Sequence, residues 1–141
     1  MSFTHGGSSA AAFREEICCF GDSITQHGHC AHGWVAGLQE AYRRRADVLN
    51  RGYSGYSSRF GLHMLPRLFG PGRRYLLTTV FFGANDAADA ASKPVQHVPL
   101  GEYASNMGAI VAAAQQVRAC VRACAFAGGG GGRIGVWAHA R

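Results

Sequence analysis

"EICCFGDSITQ", residues 16–26, is the stretch from which the rest of the chain can be read. Glu16 to Phe20 is a short apolar run cut off by Gly21-Asp22-Ser23, the pattern of a buried strand that stops at a turn. Ser23 stands at the carboxyl end of that strand, where a helix can open. Two roles fit it there. Asp and Ser are among the best helix N-cap residues, so Ser23 can be a cap. A serine hydroxyl at a strand end can equally be a nucleophile.

Working outward, a His- and Gly-rich loop follows, and then Trp34, Val35, Leu38 and Tyr42 recur at helical spacing. Arg43 to Arg45 come next, where cations suit a helix C-terminus. Val48-Leu49-Asn50 predicts a second short strand, closed by Gly52 and Gly55 in "NRGYSGY". Leu62, Met64, Leu65 and Leu68 predict a second helix, stopped by Gly70 to Arg74, "GPGRR". Leu76 to Phe82 is nearly all apolar or β-branched and is the strongest strand signal. Leu100, Tyr103, Met107, Ile110, Val111, Ala114, Val117, Val121 and Cys124 mark one face of a long helix at steps of three and four. Buried strands alternating with helices predict a parallel sheet covered on both faces. Ligands of such sheets lie beyond the carboxyl ends of the strands. The polar clusters Gly21–Ser23, Gly52–Gly55 and Gly83–Asp86 all sit there.

Composition bounds the alternatives. The chain has 141 residues, 48% apolar and 16% charged, which suits one soluble globular domain able to bury roughly two thirds of its unfolded surface. Met1 to about Arg14 reads as a disordered leader and 15–124 as the folded domain. Residues 125–141, with five consecutive glycines and one predicted short strand at Ile134–Trp137, read as a divergent Gly-rich tail. The net charge is +6, and all but one of the 14 basic residues are arginine. They cluster at Arg43–Arg45 and Arg73-Arg74 with no interleaved aromatics, so solvated surface groups are expected rather than a nucleic-acid site. The five cysteines are odd in number and follow no zinc or CxxC spacing. Cys18 and Cys19 fit a buried strand, and Cys120 and Cys124 fit small packing positions of the long helix. No secretory signal and no membrane span are visible. A reducing, cytoplasmic setting follows.

The three clusters make chemical sense together. Acyl transfer needs a nucleophile beside donors for the developing oxyanion. Ser23 can supply the hydroxyl and its own N–H. Gly55 allows a close backbone N–H, and Asn85 offers a side-chain NH2. Singly, each cluster also has a structural reading: Asp22 or Ser23 as a cap, and Asn85-Asp86 as a cap or turn. Trp34 and Tyr103 read as core anchors.

"FGDSITQ", "NRGYSGYSSR", "FFGANDA" and "QHVPLGEYASNM" together resemble the SGNH hydrolases, also called GDSL-type lipases and esterases, and within them the isoamyl acetate-hydrolysing esterase branch. The resemblance runs from about Phe20 to about Met107. It implies a flavodoxin-like, three-layer α/β/α fold, and Ser23 as nucleophile. The oxyanion donors it implies are the Ser23 N–H, the Gly55 N–H and the Asn85 side chain. Asp22 and Asp86 take structural roles. The substrate would be a small acyl or acetyl ester, hydrolysed through a serine acyl-enzyme with no metal or organic cofactor.

The family's DxxH block, which carries the acid and the base, has no match. Asp22, Asp47, Asp86 and Asp89 are the only aspartates, and none has His three residues later. The family domain is also longer, so the expectation is a truncated or alternatively spliced product, prone to self-association through its uncovered sheet. His139, after the last predicted strand, is retained as a substitute base. Loss of Ser or His from a serine-protease triad costs about 10⁶ in turnover. A non-catalytic remnant that binds a small acyl compound or a partner is therefore the competing expectation.

Overall fold

The computed structural model describes residues 14–117 and 120–125. In chain order the elements are β1 (Glu15–Gly21), α1 (Ser23–His27), α2 (Trp34–Ala41), β2 (Ala46–Gly52), α3 (Ser58–Leu68), β3 (Leu77–Phe82), α4 (Leu100–Gln116) and β4 (Cys120–Ala125). The four strands form one parallel sheet in the order β2-β1-β3-β4. The first described strand thus lies inside the sheet, the next forms one edge, and the chain crosses back to build the other side.

β1 lies inside the sheet, which is why Ile17–Phe20 is continuously apolar rather than alternating. Its two faces feed two cores. Cys18 and Phe20 join Val80 and Phe82 of β3 against Leu68 of α3 and Tyr103, Met107, Ile110 and Ala114 of α4. Ile17 and Cys19 face the other way, onto Val35 with Leu38, Tyr42 and Val48. Helices on opposite faces of one parallel sheet make the three-layer α/β/α arrangement. Phe20 is the hub of the first core: its ring meets Tyr53, Phe69 and Phe82 edge-on, at centroid distances of 6.4, 6.0 and 4.9 Å. Full burial of one such side chain stabilises by about 2 kcal/mol.

Three sequence expectations need correction. The long helix does not reach Cys124. It ends at Gln116, and Cys120–Ala125 forms β4, paired with β3 from Leu77↔Cys120 to Phe82↔Ala125. Val117, Val121 and Cys124 keep a three-and-four step, but a short apolar run satisfies helix and strand alike, and a free edge of β3 decides it. Cys120 and Cys124 are therefore strand residues. Trp34 is not a core anchor: it is 39% exposed, and its indole N–H donates to the Ile24 carbonyl at 3.3 Å. Leu100 sits exposed at the start of α4. Tyr103 is buried, as expected, and its hydroxyl donates to the Phe82 carbonyl at 3.0 Å. The predicted strand at Ile134–Trp137 lies outside the described residues.

Candidate active site

The strand register brings the three polar clusters to one edge. Gly21 is level with Gly52 on one side and with Phe81 on the other. The ladder runs one step further on each side: Tyr53 N–H donates to the Gly21 carbonyl at 2.8 Å, and Asp22 N–H to the Phe81 carbonyl at 3.2 Å. Ser23, Gly55 and Asn85 then follow their strands by two or three residues each.

Asp22, not Ser23, caps α1. Its Oδ1 accepts the Ile24 N–H at 2.9 Å from an extended backbone. The Asp22 side chain is fully buried. Burial pushes its carboxyl above the usual range, against the Ile24 bond, and the Asp86 charge pushes the same way. With the cap supplied, Ser23 occupies the first helical position, half-buried. A first-turn N–H has no carbonyl within its own helix to reach, and among the described residues no other group takes up the amide or the hydroxyl of Ser23.

The loop after β2 is fastened to α1 by two amide side chains that sequence reasoning gave no role. Asn50 Nδ2 donates to the carbonyls of Thr25 (2.9 Å) and Gln26 (3.2 Å), while its Oδ1 accepts the Gly52 N–H at 2.9 Å. Gln26 Oε1 accepts the Ser54 N–H at 2.6 Å. Tyr53 to Tyr56 form a turn closed by the Tyr56 N–H on the Tyr53 carbonyl at 3.2 Å, with Gly55 third at φ +80°. That position of a type II turn requires positive φ.

The loop after β3 meets this turn. Asn85 Nδ2 donates to the Tyr56 carbonyl at 2.8 Å. Gln96 Nε2 donates to the Gly55 carbonyl at 3.1 Å and lies 3.4 Å from Asn85 Oδ1. Gly55 and Asn85 are therefore in one hydrogen-bonded cluster, and the Gln26–Ser54 bond joins it to the helix that starts at Ser23. Next to Asn85, Asp86 is buried and binds Ser58 at the start of α3. Burial raises its carboxyl as well, opposed by the bonds from Ser58.

The histidines divide plainly. His27, His29, His32 and His63 are exposed, and His97 Nδ1 pairs with the Ala88 carbonyl at 2.8 Å. His139 lies outside the described residues. Among the described residues no histidine is hydrogen-bonded to Ser23, and no three His, Cys, Asp or Glu residues are grouped so as to hold a metal ion. Among them, too, no helix is long and apolar enough to cross a membrane.

A serine at a strand end, a positive-φ glycine and an asparagine amide on three adjoining loops define the class of site on which known proteins can be compared. Residues 19–140 match the model of the GDSL-like Lipase/Acylhydrolase family, and the chain belongs to that family. It is 44% identical over 108 residues to the isoamyl acetate-hydrolyzing esterase 1 homolog of Homo sapiens, a match covering 74% of this chain and 44% of that protein. It is likewise 44% identical over 110 residues to a GDSL esterase/lipase of Arabidopsis thaliana, covering 76% of this chain and 44% of the relative. The chain thus spans less than half the length of these relatives. Among solved structures, an acetyl xylan esterase matches with a TM-score of 0.65 at 22% identity, over 77% of this chain and 57% of the other. AlinE4, an SGNH-hydrolase family esterase, matches with a TM-score of 0.62 at 23% identity, over 79% and 58%. These two show the fold.

Proposed function

We propose that this chain carries the nucleophile side of a carboxylic-ester hydrolase, with Ser23 as the nucleophile and the Ser23 N–H, Gly55 N–H and Asn85 NH2 as oxyanion donors. The observation that carries the reading is the convergence of three loops: Asp22 relieves Ser23 of capping, and the turn bearing Gly55 is bonded to Asn85. In the reaction the Ser23 oxygen attacks the acyl carbon, and the carbonyl oxygen becomes an oxyanion held by the donors. The alcohol leaves with a proton, and water then releases the acid. The names of the relatives support small acyl esters such as acetates as the substrate class. No cofactor enters these steps.

The Ser23 hydroxyl needs a proton acceptor. We assign this role to His139, since none of the four aspartates of this sequence has His three residues later. The domain is read as 15–124, between a leader and a Gly-rich tail, in a cytoplasmic protein that self-associates. The arginine clusters are read as solvated surface and not as a nucleic-acid site.

The test is hydrolysis of p-nitrophenyl acetate by the 141-residue chain beside Ser23→Ala, Asn85→Ala and His139→Ala. Turnover should vanish in Ser23→Ala, fall roughly 10²- to 10³-fold in Asn85→Ala, and fall with His139→Ala. Equal background rates in wild type and Ser23→Ala would overturn the hydrolytic reading and leave a chain that at most binds acyl compounds.

A further inference from the structure

We infer that Gln96 is a positioning residue: its carboxamide holds Gly55 and Asn85 in one fixed arrangement and sets which way the Asn85 amide points. The inference rests on the reading of Asn85 as an oxyanion donor and adds a residue to it.

Two backbone carbonyls dictate the geometry. The Gly55 carbonyl, 3.1 Å from Gln96 Nε2, requires a donor, so the Gln96 amide must turn its nitrogen inward. The Tyr56 carbonyl, 2.8 Å from Asn85 Nδ2, does the same for Asn85. Asn85 Oδ1 is left facing Gln96 at 3.4 Å, and the second N–H of Gln96 suits that acceptor. One N–H of Asn85 is then committed to Tyr56. The other is the one free to meet a substrate oxygen. Reversing either amide would set two oxygens or two NH2 groups against each other.

Gln96 is itself rigidly mounted. Its N–H donates to the Lys93 carbonyl at 3.1 Å, the next residue's imidazole pairs with the Ala88 carbonyl, and Val98 N–H donates to the Asp86 carbonyl at 3.0 Å. The segment 96–98 therefore runs along the loop that carries Asn85 and braces it from behind. The Gly55 turn closes the arrangement: a Cβ at residue 55 would lie 3.4 Å from Gln96 Nε2, so the amide packs directly on the glycine. A donor misplaced by even about 1 Å can cost on the order of 10²-fold in rate, which gives such a brace a function.

The experiment uses the 15N-labelled 141-residue chain. The Asn85 side-chain NH2 signals are assigned by their loss in Asn85→Asp, and followed in Gln96→Ala and Gln96→Glu. Both variants should shift these signals and speed their exchange with water, together with the Gly55 and Tyr56 amides, while the other side-chain amides stay in place. Gln96→Glu keeps the length and shape but has no N–H, so a change shared by both variants is a hydrogen-bond effect and not a packing one. Asn85 signals that stay unmoved in Gln96→Ala would overturn the inference. In p-nitrophenyl acetate hydrolysis, Gln96→Ala should lower kcat roughly tenfold at unchanged KM, with no additional loss in an Asn85→Ala background. If the wild type shows no Ser23-dependent turnover, the hydrolytic reading fails, and the NH2 signals alone decide the role of Gln96.

Discussion

Asp86 binds Ser58 through both of its carboxylate oxygens. The Ser58 N–H lies 2.9 Å from Oδ1 and 3.0 Å from Oδ2, and the Ser58 hydroxyl donates to Oδ1. Ser58 opens α3, and the N-cap residue Ser57 makes no capping bond with its own side chain. A carboxylate from the loop after β3 thus takes over the capping of a helix far away in sequence. Asn106 of α4 donates to the Ser58 hydroxyl at 3.1 Å and closes the knot. The residue beside Asn85 is in this way tied to two helices.

Asp86→Ala should destabilise the chain by about 3 kcal/mol. It strands a buried N–H and a buried hydroxyl at once, and bonds to charged groups are the more costly to lose. Urea unfolding followed by circular dichroism measures it. A loss below about 1 kcal/mol would mean that Ser58 finds other partners.

The pH dependence of stability should carry the mark of the buried carboxyls. Burial raises both Asp22 and Asp86 above the ordinary 3.8, so the folded state holds protons that the unfolded state releases. Their stabilising contribution is complete below about pH 3.8 and declines as pH rises through the folded values. Asp89 and Glu102 act in the opposite sense. Bonds from Ser92 and Arg59 lower them, and their contribution is lost as pH falls. Comparing wild type with Asp86→Asn isolates one group. The wild type should lose ground to the variant as pH rises from 4 to 8, measured by urea midpoints. A constant difference would contradict a desolvated Asp86.

Gly52→Ala and Gly55→Ala should differ sharply. A Cβ on residue 52 would overlap the backbone of Gln26, so β2 and α1 must be pushed apart. The expected cost is about 3 kcal/mol. At Gly55 the added methyl has room, and only the φ of +80° is strained, at about 1 kcal/mol. Thermal midpoints of the two variants check the order.

Alkylation should separate the cysteines. The Cys18 thiol is pushed up to about 12, by burial first and by the neighbouring Cys19 second, and burial also raises Cys19. Cys30 is exposed. With iodoacetamide at pH 8, peptide mass mapping should find Cys30 modified first, and Cys18 and Cys19 only after denaturant is added. Early modification of Cys18 would mean that β1 opens readily.

The sequence by itself determined the parallel α/β class, three of the four strands among the described residues, and the loops bearing Ser23, Gly55 and Asn85. Those features are local: an apolar run of a few residues, or a glycine that stops it, carries its own signal. Tertiary structure alone decided that Cys120–Ala125 is a strand, because only the open edge of β3 distinguishes it from more helix. It alone decided that Asp22 caps while Ser23 is spared, that Trp34 faces outward, and that Asn50, Gln26 and Gln96 stitch the loops together. The bonds by which these amides join one loop to another link residues 11 to 41 positions apart. An amide side chain has no periodicity to announce such a partner. Which carbonyl it meets is settled when β1, packed on both faces, brings the strand ends level.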